Sequence, residues 1–225
     1  MIYSDFDKYL PTGGRNCHLA IIPDGARRWA ELRGVTLYDS YLESVSRIEL
    51  TAERFISSGV VELSVLCSVI QNRNRPDAEV CAFITAGLEL DRRMSKLAQK
   101  LDCDYRFIGL EAERNEDVSP TSRRAGVACI NVVFDYDPFS EIASALRSLP
   151  KSVDPMSHIW SNLLLNRPID FVIRTGGYKT LSNFFPLLIG YARMEFLEKV
   201  FNDLSAGELT EVFERFFLEP RRYGL

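Results

Sequence analysis

His18-Leu19-Ala20-Ile21-Ile22-Pro23-Asp24-Gly25-Ala26-Arg27-Arg28-Trp29-Ala30 carries the pattern on which the reading of the whole chain turns. Residues 19–22 are apolar and of the length and type of a buried strand. Pro23 stops that strand, because it cannot donate to a central ladder. A carboxylate, a glycine, two adjacent arginines and a tryptophan then open a helix. A strand-to-helix turn of this kind aims backbone N–H groups and the positive end of a helix dipole outwards. With two guanidinium groups beside it, the turn suits an anion, most naturally phosphate. One acid among those cations suits Mg²⁺ shared between a carboxylate and phosphate oxygens. The competing reading is a plain strand–turn–helix whose arginines pair with nearby acids on the surface.

Moving outward, residues 28–33 read as a short helix ended by Gly34, and residues 35–40 as a loop. Residues 41–57 carry an apolar stripe at helical spacing, and Ser58-Gly59 ends it. Residues 60–69 read as a second buried strand, delivering the polar, doubly basic segment Asn72-Arg73-Asn74-Arg75-Pro76 at its carboxyl end. Loops in that position face the ligand crevice of an open α/β sheet. Residues 77–101 form a long, largely apolar helix in which Phe83 and Leu88, with Phe134 further on, are candidates for core or for a greasy tunnel.

Residues 105–110 and 126–136 read as further strands, separated by a charged loop with a short helix at 111–125. Helices follow at 139–149 and 159–166. A fifth strand at 168–173 ends in Arg174-Thr175-Gly176-Gly177, trailed by Lys179, Thr180 and Ser182. Backbone N–H groups, hydroxyls and a cation are what a second phosphate group needs. Residues 181–191 are apolar and fit a helix or a strand, and residues 209–218 a last helix. Alternating strands and helices predict an α/β fold with a mostly parallel sheet covered on both faces. Residues 1–16 read as an N-terminal arm and 17–225 as one catalytic domain.

Composition narrows the function classes. At 225 residues and 46% hydrophobic content the chain can bury one large core. A net charge of −4 argues against a broad nucleic-acid surface. Five scattered cysteines without a CxxC pair predict reduced thiols in a cytoplasmic protein. Two histidines make a His-based metal centre or triad a poor fit. No apolar run reaches the length of a membrane span.

Two Arg/Gly turns at strand carboxyl ends allow two diphosphates to lie close together. One can leave as an anion, and the allylic cation left behind can be attacked by an alkene. No Ser or Cys nucleophile is required; charge stabilisation, positioning and exclusion of water do the work.

On these residues the chain resembles the cis-prenyltransferases of the undecaprenyl diphosphate synthase superfamily. The resembling pieces are residues 18–30, Asn72-Arg73-Asn74-Arg75-Pro76, Asp170 to Gly177 with Leu181-Ser182-Asn183-Phe184, and Arg222-Tyr223-Gly224. They fall in order across almost the whole chain. The resemblance implies a single α/β domain with a hydrophobic tunnel, a homodimer, prenyl diphosphate substrates and Mg²⁺. It places the metal and the ionisation chemistry on Asp24, with Arg75 near the reacting centre. It places diphosphate contacts on Gly25, Arg27, Arg28, Arg174, Ser182, Arg222 and Gly224. Trp29, Tyr41, Asn72, Lys179 and Thr180 are further candidates.

The departures from the family pattern are informative. Ala26 stands for an asparagine, Leu37 for an arginine, Tyr41 for a histidine and Arg73 for a tryptophan. Tyr178 stands for a glutamate and Thr180 for a second arginine. Arg193 stands for a metal-site glutamate, with Glu195 two positions on. Pro23 to Trp29, Gly34 to Tyr41 and the ending Arg221 to Leu225 resemble the irregular branch containing lavandulyl-type synthases. That branch joins an allylic diphosphate (geranyl or dimethylallyl) head-to-middle to dimethylallyl diphosphate, giving an isosesquilavandulyl- or lavandulyl-type diphosphate. Alternatives are a conventional short-chain enzyme using isopentenyl diphosphate, a prenyl-diphosphate lyase or transferase to another acceptor, and a regulatory subunit.

Overall fold

A computed structural model describes residues 16–109 and 124–218. The strands are β1 (His18–Ile22), β2 (Glu62–Leu66), β3 (Asp104–Ile108), β4 (Cys129–Val133), β5 (Phe171–Arg174) and β6 (Arg193–Phe196). The α-helices are α1 (Ala26–Arg33), α2 (Leu37–Ser57), α3 (Asp77–Leu101), α4 (Pro138–Arg147), α5 (Pro155–Ser161) and α6 (Ala206–Leu218). All six strands pair in parallel, in the order β3-β4-β2-β1-β5-β6. The α/β fold with a parallel sheet expected from the sequence is the fold observed.

The run at residues 19–22 forms a strand because both of its faces are covered. Leu19 and Ile21 pack on the side of α2, α3 and α6, with Leu63, Val65 and Phe171. Ala20 and Ile22 point the other way, with Val172, Leu163 and Phe185. All five residues of β1 are buried, the mark of a central parallel strand. Each such Leu or Ile contributes about 1.5–3 kcal/mol of burial.

The register Ile22↔Arg174 brings the ends of β1 and β5 level. On its other side β1 pairs with β2; the chain runs through β2, β3 and β4 on that side before crossing over to β5, so the strand order reverses between β1 and β5. The crevice above such a reversal is the ligand position in open α/β sheets.

Several boundaries differ from the sequence expectation. Residues 35–40 are not all loop: Thr36 caps α2, its Oγ1 accepting from the Asp39 N–H at 3.1 Å, and the helix starts at Leu37. The capping pattern, rather than the apolar stripe, marks that start. The helix expected at 159–166 is displaced to Pro155–Ser161, where Asp154 caps it and Pro155 occupies its first turn.

Residues 181–191 form neither helix nor strand. Ser182, Asn183 and Phe185 take positive φ values of 49°, 60° and 36°, which breaks any regular run while Phe184, Phe185 and Leu188 stay buried. The edge strand β6 was not anticipated, although its Arg-Met-Glu-Phe alternation is a period-two signal. Leu88 is 50% exposed on α3, so it belongs to neither core nor tunnel. The expected loop and short helix at 111–125 fall almost wholly outside the described residues, as do residues 1–15 of the arm.

All five cysteines are free, and Cys17, Cys103 and Cys129 are buried. No helix among the described residues is long and apolar enough to cross a membrane.

At the opposite end of the sheet from the crevice, the strands share a buried polar network. The His18 N–H donates to Asp170 Oδ2 at 2.7 Å, and His18 Nε2 lies 2.7 Å from Ser64 Oγ. Asn131 Nδ2 donates to Ser64 Oγ and to Glu62 Oε1 at 3.0 and 2.9 Å. Burial lowers the pKa of His18 below 6.5, so the ring is held neutral.

Candidate active site

The turn after β1 is built by Gly25. Its φ of 112° is left-handed territory, and a Cβ there would lie 2.5 Å from Val200 Cγ1. Gly25 is the N-cap of α1, with no side-chain cap and no acid in the first turn. The opening N–H groups of α1 therefore face outward unsatisfied, ready for an anion.

Thr175, at the end of β5, ties the two turns together. Its Oγ1 accepts from the Asp24 N–H at 2.8 Å and donates to the Asp24 carbonyl at 3.0 Å. Gly176 follows at φ 83°, where a Cβ would lie 2.6 Å from Arg28 Nη2.

Between the turns lies a cavity of about 400 Å³ at the carboxyl ends of the central strands. Asp24, Gly25, Arg27 and Arg28 line one wall, and Arg174 and Ser182 another. Asn72, Arg75 and Tyr41 close the side towards α2 and α3. These nine sequence-derived candidates are thus brought to one place.

Arg174 is the hub. Its Nη2 donates to Asp24 Oδ2 at 2.8 Å. Its Nη1 donates to Ser182 Oγ at 2.8 Å, to the Thr180 carbonyl at 2.6 Å and to Thr180 Oγ1 at 3.0 Å. Asp24 Oδ1 is also 3.5 Å from Arg28 Nη2. Thr180 and Ser182 continue into an adjoining open groove of about 610 Å³ that Gln71 also lines.

Other candidates lie elsewhere. Trp29 Nε1 donates to Asp203 Oδ1 at 2.8 Å, which pins α1 to residues 201–203 instead of facing the cavity. Lys179 is exposed and lines neither the cavity nor the groove. Glu195, on β6, is 4.0 Å from Arg215 of α6 and does not line the cavity. Arg193, at that glutamate's own position, lies against Phe216. Arg222 and Gly224 fall outside the described residues.

Three site residues were not anticipated. Tyr178 covers the arginines: its ring centroid is 5.0 Å from the Arg28 guanidinium and 5.9 Å from that of Arg174. Its place between a Gly-Gly turn and Lys179 carried no signal beyond departure from the family glutamate. Glu79, 8% exposed in the first turn of α3, is 3.0 Å from Arg75 Nη1 and 3.7 Å from Arg27 Nε, and accepts from Tyr41 Oη at 3.2 Å. The Arg75/Glu79 spacing of four residues on a predicted helix start was the available clue. Glu31 is a second acid on the cavity wall.

Arg73 fastens the segment that presents Asn72 and Arg75. Its Nε donates to Asp135 Oδ2 at 2.8 Å, and Asp135 is held by Ser68 at the end of β2.

A narrow apolar pocket of about 70 Å³ opens beside the cavity. Tyr41, Ala26, Cys67, Pro23 and Arg75 line both. Val45, Ile48, Ala86, Leu90, Phe83 and Phe134 line the pocket alone. Phe83 packs on Phe134 at 5.3 Å between centroids, and Phe107 on Phe134 at 5.2 Å, forming an aromatic end wall. Phe83 and Phe134 are thus both core and pocket lining. A charged chamber joined to a greasy slot fits an amphiphile with an anionic head.

Comparison with known proteins gives the chain a family. Residues 22–224 match the family model described as "Putative undecaprenyl diphosphate synthase". An isoprenyl transferase of Campylobacter jejuni is 28% identical over 219 residues, covering 92% of this chain and 97% of that protein. The ditrans,polycis-undecaprenyl-diphosphate synthase of Xanthomonas axonopodis is 28% identical over 230 residues, with coverage of 92% and 88%.

Among solved structures, the fold is similar to lavandulyl diphosphate synthase from Lavandula x intermedia. The TM-score is 0.80 at 23% identity, over 92% of this chain and 98% of that one. It is similar also to a "probable undecaprenyl diphosphate synthase" from Campylobacter jejuni, at TM-score 0.69 and 23% identity, over 95% and 100%. The match along nearly the whole length, with two basic turns converging on one crevice, makes this chain a prenyltransferase of the undecaprenyl diphosphate synthase family.

Proposed function

We propose that this prenyltransferase joins dimethylallyl diphosphate, as acceptor, head-to-middle to a short allylic diphosphate. The observation that carries the reading is the placement of Arg174. One guanidinium spans from Asp24, in the β1 turn, to Thr180 and Ser182, in the second turn. Two diphosphates on these turns share a boundary, which sets a donor C1 beside an acceptor double bond.

The second turn differs from that of an enzyme built for isopentenyl diphosphate. Where the family resemblance expects a second arginine and a glutamate, Thr180 spends its carbonyl and hydroxyl on Arg174, and Tyr178 covers two guanidiniums. The acceptor's diphosphate therefore meets fewer cations. The likeness to the lavender synthase bears on the fold; the altered side chains bear on the reaction.

The slot bears on donor length. The slot is short and closed at its end by the packed rings of Phe83 and Phe134. That favours dimethylallyl over geranyl diphosphate as donor, giving a lavandulyl-type product.

The Asp24 carboxylate on the cavity wall would hold Mg²⁺ through a hard oxygen, with Glu31 a second acid on the same wall. Among the described residues no three His, Cys, Asp or Glu side chains converge. The ion's remaining ligands would be diphosphate oxygens and water. When bound, it neutralises charge on the departing diphosphate. Arg27, Arg28 and the α1 N-terminus orient that diphosphate, and the apolar slot excludes water. A homodimer, a contribution of Arg222 and Gly224 to the site, and a cytoplasmic location belong to the same reading and rest on the resemblance and composition.

The test is product analysis by mass spectrometry and NMR after incubation with Mg²⁺ and dimethylallyl, geranyl and isopentenyl diphosphates, singly and in pairs. A branched C10 diphosphate from dimethylallyl diphosphate alone is expected. Linear products formed only when isopentenyl diphosphate is present would overturn the reading.

A further inference from the structure

Head-to-middle coupling, as proposed above, ends with a proton to dispose of. Tyr41 lies at the junction of the charged cavity and the apolar slot, lining both. Its hydroxyl donates to Glu79 Oε1 at 3.2 Å, and its ring packs edge-on to Phe83 at 6.2 Å between centroids. Glu79 lines neither space and is 8% exposed. It stands one layer behind the reacting volume, touching it through Tyr41, Arg75 and Arg27.

We propose that Tyr41 and Glu79 form a proton relay that quenches the coupled carbocation. This rests on the head-to-middle reading above. The donor's C1–O bond breaks, its electron pair leaving with diphosphate. The acceptor's C2=C3 pair forms the new C1–C2 bond and leaves the positive charge on C3. A methyl group on C3 loses a proton to Tyr41 Oη while the Tyr41 O–H proton passes to the Glu79 carboxylate. The C–H pair becomes the terminal double bond. The balance is one branched diphosphate, one free diphosphate and one proton held on Glu79.

The geometry supports each part. A phenol is a feeble base alone, but a tertiary cation is a very strong acid, and the relay never leaves charge on the ring. Tyr41 is kept protonated at neutral pH: burial first, then the Glu79 carboxylate, push its pKa up to about 12. Its O–H is therefore present to be passed on. Arg75 and Arg27 hold the Glu79 carboxylate in place, and Ala26 lines both spaces with Tyr41.

Two variants test this against a purely structural role. Tyr41→Phe removes the relay proton and leaves the arginine pairs. Glu79→Gln keeps an acceptor for Tyr41 Oη but cannot take up the proton. Each is assayed with dimethylallyl diphosphate and its methyl-deuterated form, following diphosphate release, branched product and double-bond isomers. Expected in both variants is a kcat lower by ~10²-fold with KM within about threefold. A larger deuterium effect and more free diphosphate per branched product accompany it. The double variant is expected to be no slower than either single one.

Wild-type product and rate in both variants would overturn the relay. So would loss confined to Glu79→Gln, which would make Glu79 an anchor for Arg27 and Arg75. If the wild-type enzyme makes no branched product, the functional reading falls and the relay with it; if it does and the variants match it, the relay alone falls.

Discussion

Asp24 Oδ2 and Arg174 Nη2 lie 2.8 Å apart, although 150 positions separate them in the chain. The pair joins the two turns of the site, and Arg174 is almost fully shielded while Asp24 is partly open to the cavity. A substrate diphosphate competes for the same guanidinium, and a metal ion for the same carboxylate. Asp24→Asn keeps the side chain's size but removes both the charge for a cation and part of the hold on Arg174. Turnover is expected to fall ~10²–10³-fold, the usual cost of removing one electrostatic stabiliser of a transition state. Arg174→Lys keeps the charge and loses the fork. Its KM for the acceptor is expected to rise more than its kcat falls. Steady-state kinetics with dimethylallyl diphosphate check both, and variants within threefold of wild type would contradict the placement.

The Phe83–Phe134 wall makes donor length a matter of steric exclusion. Phe83→Ala deepens the slot toward Phe107 and Phe134, and geranyl diphosphate is expected to become the preferred donor. The change also leaves a cavity in the core and is expected to cost about 3–5 kcal/mol of stability. Thermal unfolding and product chain length, measured on one preparation, separate the two effects. An unchanged donor preference in a folded variant would remove the wall as the determinant.

His18 predicts an acid-sensitive fold. Burial depresses its pKa in the native state, so the unfolded chain binds a proton more readily than the folded one. The native advantage is fully present above the unfolded value of about 6.5 and is lost as pH falls through that point toward the folded value. Over that window the expected slope from this group is at most about 1.4 kcal/mol per pH unit. Urea unfolding of wild type and His18→Gln from pH 7.5 down to 5 should show the flatter dependence in the variant. Parallel curves would assign the acid sensitivity to other groups.

Much of the site was legible because its chemistry is clustered in short segments. Asp24, Gly25, Arg27 and Arg28 sit in five consecutive residues, and their turn follows from Pro23 and Gly25 alone. The long helix α3 was readable to its ends, since Pro76 precedes it and Asp77 and Glu79 favour its first turn. Strand β6 and the irregular path through Ser182, Asn183 and Phe185 were not readable in this way. An edge strand of Arg-Met-Glu-Phe has no apolar run, and left-handed residues other than glycine leave little mark on the sequence. Glu79 was hidden for a different reason: one acid at a helix start is ordinary until Tyr41, Arg27 and Arg75 arrive from three directions.

The sequence by itself determined the strand–turn–helix around Asp24, the parallel α/β class and the kinship carried by the ordered motifs, because these depend on residues close together along the chain. The tertiary structure alone decided that Arg174 serves both turns, that Trp29 and Lys179 stand outside the site, and that Tyr41 meets Glu79 between the charged chamber and the apolar slot. Those outcomes depend on the Ile22↔Arg174 register, on which way each side chain leaves its element, and on how closely α2 and α3 pack beneath the crevice. No local propensity encodes them.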